Sequence, residues 1–281
     1  MDQAVSLSIP VGGLGDATFA VSAARLSAAI NVAGVGGSLS IGDSRLTVKS
    51  GKFTARLELF DVGAFPWGVP SSGEAVPIEA LVSAMAKAGP FSYGDAWASA
   101  IAIRDGRVLA SDGVSTLIAV RGAPLGIDVS LPGKSVVAVA GSNLTFARVS
   151  VDENSMTLIG EGGWLRLALT SIKWPDVSSL LNDSELPEAP PGFWEAVATV
   201  SGFDGDHVLL SGAKVSSGPV EVMLDYDVAV STIVMPECVF NTKKLASIAS
   251  IAGRIDLSLF PKCPFGDGID TVGVLSGTMP K

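Results

Sequence analysis

The one histidine is the first residue to consider for chemistry, because general acid–base and nucleophilic catalysis most often use one. His207 stands between Asp206 and Val208 at the start of a predicted strand. A catalytic histidine needs a nucleophile and an orienting partner, and the sequence has no G-x-S-x-G segment or cysteine partner to supply them. The pattern favours a surface histidine beside a turn over a catalytic base.

Two glycine-rich segments have the composition of phosphate-binding loops. They are Gly12–Asp16 and Gly34–Gly37. Neither completes G-x-G-x-x-G between a strand and a helix, and no G-x-x-x-x-G-K-[ST] segment occurs. The sequence therefore gives only weak support for a nucleotide site.

The remaining candidates for chemistry are carboxylates and thiols. Carboxylates in segments rich in Gly, Ser or Asn are typical of turns; these are Asp43, Asp105, Asp112, Asp152 and Asp204. Cys238 and Cys263 lie far apart and outside any C-x-x-C, so neither a disulfide framework nor a zinc site is indicated. We expect no catalytic residue, metal or cofactor, and an enzyme is the least favoured class.

Composition indicates a folded protein. The 281 residues are 48% hydrophobic and 17% charged, a balance that excludes disorder. Apolar residues occur in short runs bounded by turns, none near the ~18 of a membrane-spanning helix.

The N-terminal segment lacks the basic and long apolar regions of a secretory signal, so we expect a cytoplasmic protein. The net charge of −9 argues against bulk attraction to nucleic acid but leaves room for a basic stripe on one face.

One unit recurs five times at a spacing of about 45–55 residues, as expected for a repeat architecture. Each copy opens on a β-like segment and a short helix, then gives strands separated by Gly or Asp turns. We therefore predict an α+β fold of repeated βαβββ units, with antiparallel sheets and the helices on one face. The predicted helices are Ser22–Ile30, Ile78–Ala88, Lys134–Ala140, Pro191–Val200 and Asn241–Ile251. The predicted strands are Ser38–Ile41, Arg45–Lys49, Lys52–Leu59, Ala98–Ile103, Arg107–Ala110, Thr116–Val120, Ile127–Leu131, Thr145–Val151, Ser155–Ile159, Trp164–Leu169, His207–Gly212, Val220–Asp225, Ser231–Pro236, Arg254–Phe260 and Thr271–Ser276.

Two segments have the composition of linkers and suggest domain boundaries. They are Gly68–Ala75 and Asn182–Pro191, the latter rich in proline and acidic residues. We expect domains at 1–70, 71–182 and 183–281.

Several predicted helices carry a basic residue on an otherwise uncharged face. A single lysine there is ordinary solvated surface, but recurrence in equivalent helices suggests a shared face toward a phosphate backbone. These residues are Arg25, Lys87, Lys134, Lys243 and Lys244.

Five segments, in this order along the chain, resemble the bacterial-type DNA sliding clamp, the β subunit of the replicative polymerase. Arg45–Phe53 with Ala64-Phe65-Pro66 is similar to the end of that family's first domain. Arg107–Gly113 resembles its strand into an A-T-D-G turn, and Ile172–Asp176 its G-x-F-P-D-Y segment. Phe240–Leu245 resembles the F-N-x-x-Y-L start of the last long helix, and Met279-Pro280 the family's M-P.

The sequence also departs from the family pattern. Val114 and Ser115 replace the usual His and Arg, and Trp174 replaces Phe. The family has six repeats in three domains, whereas this chain has five, so the first half of the first domain is expected to be missing or reduced to residues 1–16. A clamp shortened in this way suits a viral (phage) replication system.

The resemblance implies a non-catalytic ring of copies joined head to tail, with sheets outside and helices lining a hole for duplex DNA. It implies binding of a DNA polymerase, and of a clamp loader where one is used, through short peptides. A homodimer is expected, with a trimer as the alternative. The resemblance also implies that the five basic residues named above face DNA. The implied peptide cleft comprises Ser111, Gly113, Leu117, Pro175, Leu180, Met279 and Pro280. The implied subunit interface comprises Phe53, Leu57, Leu59, Trp194, Val197 and Val200.

The alternative is a structural or binding β-repeat protein, such as a viral particle component, without a DNA role.

Overall fold

The computed structural model describes residues 5–8, 19–61, 76–78, 80–140, 145–161, 163–181, 184–203, 205–224 and 237–280. Its helices are α1 (Ala23–Ala33), α2 (Leu81–Ala88), α3 (Gly133–Ala140), α4 (Phe193–Ser201) and α5 (Thr242–Ala249). Its strands are β1 (Val5–Ser8), β2 (Ala20–Val21), β3 (Ser38–Ile41), β4 (Arg45–Ser50), β5 (Phe53–Phe60), β6 (Val76–Pro77), β7 (Ala100–Arg104), β8 (Arg107–Ser111), β9 (Thr116–Arg121), β10 (Val129–Pro132), β11 (Arg148–Val151), β12 (Ser155–Gly160), β13 (Gly163–Ala168), β14 (His207–Ser211), β15 (Lys214–Ser217), β16 (Val220–Met223), β17 (Cys238–Asn241), β18 (Arg254–Ile255), β19 (Lys262–Gly266) and β20 (Thr271–Ser276).

Five units of one helix followed by three strands are present, which confirms the predicted repeat and the α+β class. Repeat 1 is α1 with β3–β5, repeat 2 is α2 with β7–β9, and repeat 3 is α3 with β11–β13. Repeat 4 is α4 with β14–β16, and repeat 5 is α5 with β18–β20. All strand pairs among the described residues are antiparallel.

The chain divides into two compact units, Ile9–Gly73 and the remainder, Met1–Ser8 with Glu74–Lys281. The smaller unit contains α1 above one sheet of order β2-β5-β4-β3, with Leu46, Val48 and Leu57 in its core. The larger unit has three sheets, ordered β1-β13-β12-β11-β6, β10-β7-β8-β9-β20-β19-β18 and β16-β15-β14-β17. In the larger unit α2 packs on α3, α4 packs on α5, and their apolar faces share one core with the sheets.

The N-terminal strand does not belong to the same unit as the rest of the domain expected at 1–70. β1 pairs with β13 of repeat 3, from Val5 opposite Leu167 to Ser8 opposite Trp164, and so belongs to the larger unit. The further division of that unit at residue 182 stays a prediction.

Within the part of the chain that the structure describes, no helix is both long and apolar enough to cross a membrane.

Local chemistry explains where the predicted elements end differently. The predicted strand Arg254–Phe260 stops at Ile255, because Asp256 accepts a hydrogen bond from the Ser258 amide (3.0 Å) and begins a short 3₁₀ helix, Leu257–Leu259. β15, β17 and β19 were not predicted as strands. The predicted strand Ser231–Pro236 lies outside the described residues.

Candidate functional site

Three of the five basic residues predicted to face DNA are exposed on their helices. They are Arg25 on α1, Lys134 on α3 and Lys243 on α5. Arg25 lies in the smaller unit and the other two lie in the larger one. A long cationic side chain in solvent can neutralise a phosphate without losing an internal partner. The side chains of these three residues are therefore exposed to solvent, as a contact with a nucleic-acid backbone requires.

The other two basic residues are engaged inside the protein. The Lys87 ammonium donates to Asp270 Oδ1 at 2.7 Å and to Asp267 Oδ2 at 3.3 Å. Burial opposes the charge of Lys87, but its bonds to Asp270 and Asp267 outweigh this and raise its pKa above the ordinary value. Lys87 connects α2 of repeat 2 to the turn between β19 and β20 of repeat 5. In the structure the Lys87 ammonium therefore forms an internal ion pair, instead of the free cation expected to face DNA.

Lys244 makes the corresponding connection in the opposite direction. Its ammonium donates to Asp112 Oδ2 and, at 2.8 Å, to Ser115 Oγ, in the turn between β8 and β9 of repeat 2. The side chains of Lys244 and Asp112 are only 16% and 3% exposed, so the pair is largely out of water. Tyr93 lies on the same cation, with its ring centre 6.0 Å from the Lys244 Nζ. Lys244 thus differs from its neighbour Lys243, although the sequence predicted the same role for both.

Asp112 and Asp267 occupy equivalent turns of the pattern D-G-x-x-T. Asp112 Oδ1 accepts the amides of Val114, Ser115 and Thr116 at 2.8–2.9 Å. Asp267 Oδ1 accepts the three matching amides at 2.8–3.0 Å. Burial raises the pKa of Asp112, but Lys244 and the three amides outweigh it and bring the value to about 2. Burial also raises the pKa of Asp267, but the hydrogen bonds within its own turn outweigh this and lower the value.

The turn interpretation of the carboxylates is confirmed where hydrogen bonds show it. Asp152 Oδ1 accepts the amides of Asn154 (2.9 Å) and Ser155 (2.7 Å), as a turn carboxylate should. Arg166 also donates to Asp152 Oδ2 at 2.6 Å. Asp204 lies outside the described residues. His207 is exposed at the start of β14, which agrees with the surface position expected for it.

The predicted peptide cleft contains both buried and exposed residues. Ser111 and Leu117 are buried on neighbouring strands β8 and β9, where they lie opposite each other. Leu117 packs in a cluster with Trp174 and Val177, so its side chain is not free to contact a peptide directly. Pro175 and Gly113 are exposed. Gly113 has a φ of +75°, and a side chain at this position would point toward the Ala98 methyl group.

Of the residues predicted for the cleft, Leu180 and Met279 are large apolar side chains that reach solvent, at 43% and 64% exposure. The chain before Met279 is held in place, because Thr278 and Val239 exchange two backbone hydrogen bonds of 2.8 and 3.0 Å. Pro280 is half-buried. The sequence did not single out Trp97, whose ring meets that of Trp174 edge-on at 4.9 Å. Trp174 in turn donates its Nε1 hydrogen to the Ala100 carbonyl at 3.2 Å.

Three of the predicted interface residues are core residues of their own unit. Val197 and Val200 are fully buried on the inner side of α4, and Leu57 is 7% exposed in the core of the smaller unit. Their expected contact role is corrected, since the apolar stripe of each element already packs against its own sheet or helix. Phe53, Leu59 and Trp194 are half-buried and remain available at the edge of their elements.

Comparison with solved structures gives the fold a class: it is the fold of the bacterial DNA polymerase sliding clamps. The sliding clamp of Pseudomonas aeruginosa is 17% identical, with a TM-score of 0.70 over 100% of this chain and 88% of that one. The clamp of Bartonella birtlesii, bound to griselimycin, is 17% identical, with a TM-score of 0.73 over 99% and 87%. The Helicobacter pylori clamp, bound to a DNA ligase peptide, is 14% identical, with a TM-score of 0.72 over 99% and 87%.

The similarity is one of structure. Neither a protein-family model nor a curated protein matches the sequence.

Proposed function

We propose that this protein is a DNA sliding clamp: a non-catalytic ring that encircles duplex DNA and keeps a replicative polymerase on its template. The observation that carries the proposal is the match of all five repeats to clamps over essentially the whole chain. A closed ring is attached to DNA by topology, so each contact with the duplex needs little affinity of its own.

In this proposal the helices line the hole and present Arg25, Lys134 and Lys243 to the phosphates. The contacts are independent of sequence, because cations on helix surfaces reach phosphates rather than base edges. Lys87 and Lys244 contribute to the walls of the ring through their ion pairs rather than to DNA binding.

Partner proteins would dock through short linear peptides in the cleft around Leu180, Met279 and Pro280, above the floor formed by Leu117. The exposed thioether of Met279 suits a surface that accepts varied apolar anchors. The Helicobacter pylori clamp binds a DNA ligase peptide, which supports peptide binding as a property of this fold. A polymerase, and a clamp loader where one is used, are the expected partners.

The ring requires self-association, and we propose a homodimer, with a trimer as the alternative. Electron microscopy of negatively stained protein, together with light scattering at tens of micromolar, tests this directly. Rings with a central hole and a mass of two or three chains are expected. A monomer, or a compact particle without a hole, would refute the clamp.

A further inference from the structure

A local two-fold axis relates repeats 2 and 5 of the larger unit. Their third strands, β9 and β20, pair antiparallel about a central pair, Ile118 opposite Gly273. These two residues follow the aspartates of their own D-G-x-x-T turns by the same number of positions. The axis therefore relates each residue of the β8–β9 hairpin to the residue of the β19–β20 hairpin that has the same place relative to its turn.

Contacts at both ends of the joint follow this axis. The Ser276 amide donates to the Ser115 carbonyl at 2.7 Å, and the Arg121 amide donates to the Asp270 carbonyl at 2.8 Å. Each turn also receives the lysine from the helix of the other repeat. The two turns therefore have equivalent surroundings, and a surface bordered by one has a counterpart bordered by the other.

The proposed peptide cleft has such a counterpart. Three of the cleft residues belong to the β8–β9 hairpin: Ser111, Gly113 and Leu117. The residues at the same positions of the β19–β20 hairpin are Gly266, Gly268 and Val272. All three line a cavity of about 330 Å³ beside the turn of repeat 5. The larger unit therefore has a second cavity that the axis relates to the cleft.

The second cavity differs from the cleft in charge. The cleft is bordered by the exposed apolar side chains of Leu180 and Met279, whereas the cavity is lined by two arginines, Arg121 and Arg254. Arg121 ends β9 and is exposed. Arg254 begins β18, and its side chain is 28% exposed. Two guanidinium groups at one cavity favour a ligand that carries a carboxylate.

Arg254 is held at the cavity by its neighbours. Its Nη1 donates to the Leu186 carbonyl at 3.2 Å and to Glu185 Oε1 at 3.3 Å. Its side chain lies against Gly268, where an added Cβ atom would be 3.1 Å from the Arg254 Nε. Among the described residues, both hydrogen bonds of this guanidinium come from Nη1, so the Nη2 hydrogens are available to a ligand.

Glu185 is the chain's own carboxylate at this arginine, and it is weakly held. Its side chain is 87% exposed, and it meets Arg254 through one contact of 3.3 Å rather than through a bidentate pair. An exposed ion pair contributes little free energy, because water solvates both charges. A ligand carboxylate that binds with bidentate geometry can therefore replace Glu185.

The other carboxylate that lines the cavity is already paired. Asp270 Oδ1 accepts the Lys87 ammonium at 2.7 Å and the Thr271 hydroxyl at 2.7 Å. Its charge is thus compensated by Lys87. Once Glu185 is displaced, the two arginines give the cavity its charge.

The cavity also has an apolar surface. Leu186 is 8% exposed and lies beside Gly266, and Val272 is half-buried. Ile269 is 82% exposed, at the position that Val114 has in the turn of repeat 2. An apolar side chain next to the ligand carboxylate can contact this surface.

We propose that this cavity binds an acidic peptide segment of a partner protein, in which an Asp or Glu stands next to an apolar residue. The peptide carboxylate replaces Glu185 on the Arg254 guanidinium, and Arg121 supplies a second cation. The apolar residue contacts Leu186 and Ile269. This site goes beyond the proposed function, because its ligand differs from that of the apolar cleft and its binding does not require a closed ring.

Fluorescence anisotropy tests the site with a labelled peptide, Ala-Leu-Glu-Leu-Ala with both ends blocked, and with the matched peptide that has Gln in place of Glu. The test variants of the full chain are Arg121→Gln and Arg254→Gln. Arg148→Gln, at an exposed arginine on β11, is the matched control. Arg121 is exposed, so its variant should fold even where loss of the Leu186 contact destabilises Arg254→Gln, and circular dichroism checks both.

We expect the Glu peptide to bind, and the Gln peptide to bind about tenfold more weakly because one charge-assisted pair is lost. Arg121→Gln and Arg254→Gln should each weaken binding of the Glu peptide by a similar factor, and Arg148→Gln should leave it unchanged. Equal binding of the two peptides, or no binding at protein concentrations up to about 0.5 mM, overturns the proposal. Equal losses in the control and the test variants also overturn it.

Two further variants locate the peptide. Glu185→Gln removes the internal competitor and should tighten binding about threefold, whereas weaker binding would show that Glu185 is not displaced. Leu180→Asp, in the proposed cleft, should leave binding unchanged, and a loss there would place the acidic peptide in the cleft instead. Short duplex DNA should not displace the peptide, since displacement would show a site for phosphates and overturn the assignment.

Discussion

Asp112 stabilises a connection between distant parts of the chain through one carboxylate. One oxygen accepts three backbone amides of its own turn, and the other receives Lys244, which lies 132 residues away in sequence. The turn role of Asp112 could be predicted from its neighbours, because Asp-Gly is a turn signal in any context. The contact of Asp112 with Lys244 could not be predicted, because it forms only when repeats 2 and 5 meet and no local sequence pattern indicates it.

Breaking this buried pair should destabilise the larger unit. Asp112→Asn and Lys244→Met are each expected to lower the free energy of unfolding by about 2–4 kcal/mol, because each leaves the other charge without its partner. The double variant should cost less than the sum of the two. Urea denaturation followed by circular dichroism measures this, with Lys214→Met, on the more exposed pair with Glu221, as a control expected to cost under about 1 kcal/mol. Equal losses in the control and the test variants would contradict the account.

The depressed pKa values give stability a definite dependence on pH. Asp112 and Asp152 have pKa values of about 2 against an ordinary value of 3.8. Each contributes stability that is fully present above the unfolded value and is lost as the pH falls through the folded one. The free energy of unfolding should therefore fall between about pH 4 and pH 2, and less steeply in Asp112→Asn. A pH titration of urea midpoints with the same slope in both proteins would exclude Asp112 as a source.

Among the elements, the recurring unit of a short helix followed by strands located all five helices and most of the strands. It failed where a local cap outweighed it, as at Asp256, and where strands were short, as at β17. The family resemblance implied Leu57, Val197 and Val200 as subunit-interface residues, but a resemblance carries no information on what covers an apolar face in this chain. In the structure their own units cover them.

The proposed peptide cleft offers a prediction at the scale of the elements. Leu180→Asp, and separately deletion of residues 279–281, should abolish binding of the cognate polymerase's peptide while self-association is unchanged. Both changes remove exposed apolar surface and leave the floor around Leu117 and Trp174 in place. Fluorescence anisotropy with the labelled peptide measures binding, with Leu125→Asp on an exposed loop as the control. Unchanged affinity in both test variants would place the peptide site elsewhere.

For the whole molecule, the proposed DNA binding predicts that the number of solvent-exposed cations facing the duplex sets the salt dependence of retention. Lys243→Ala should weaken binding equally on all sequences and reduce the slope of log affinity against log salt by about one, since one phosphate contact is lost. Lys244→Ala should leave the slope unchanged and lower stability instead, because its ammonium is already paired. Binding measured from 50 to 200 mM salt separates the two. A smaller slope for Lys244→Ala than for Lys243→Ala would reverse their assignment.

Attachment by topology predicts that the protein is retained on closed circular DNA and lost from DNA that has free ends. The protein is assembled on nicked circular duplex DNA, washed at a salt concentration that removes it from short linear duplexes, and then followed after the circle is cut once by a restriction enzyme. A ring that encircles DNA stays on the intact circle and leaves within the time of sliding once ends exist. Retention on the cut DNA equal to that on the circle, or loss from both in the salt wash, would contradict the clamp.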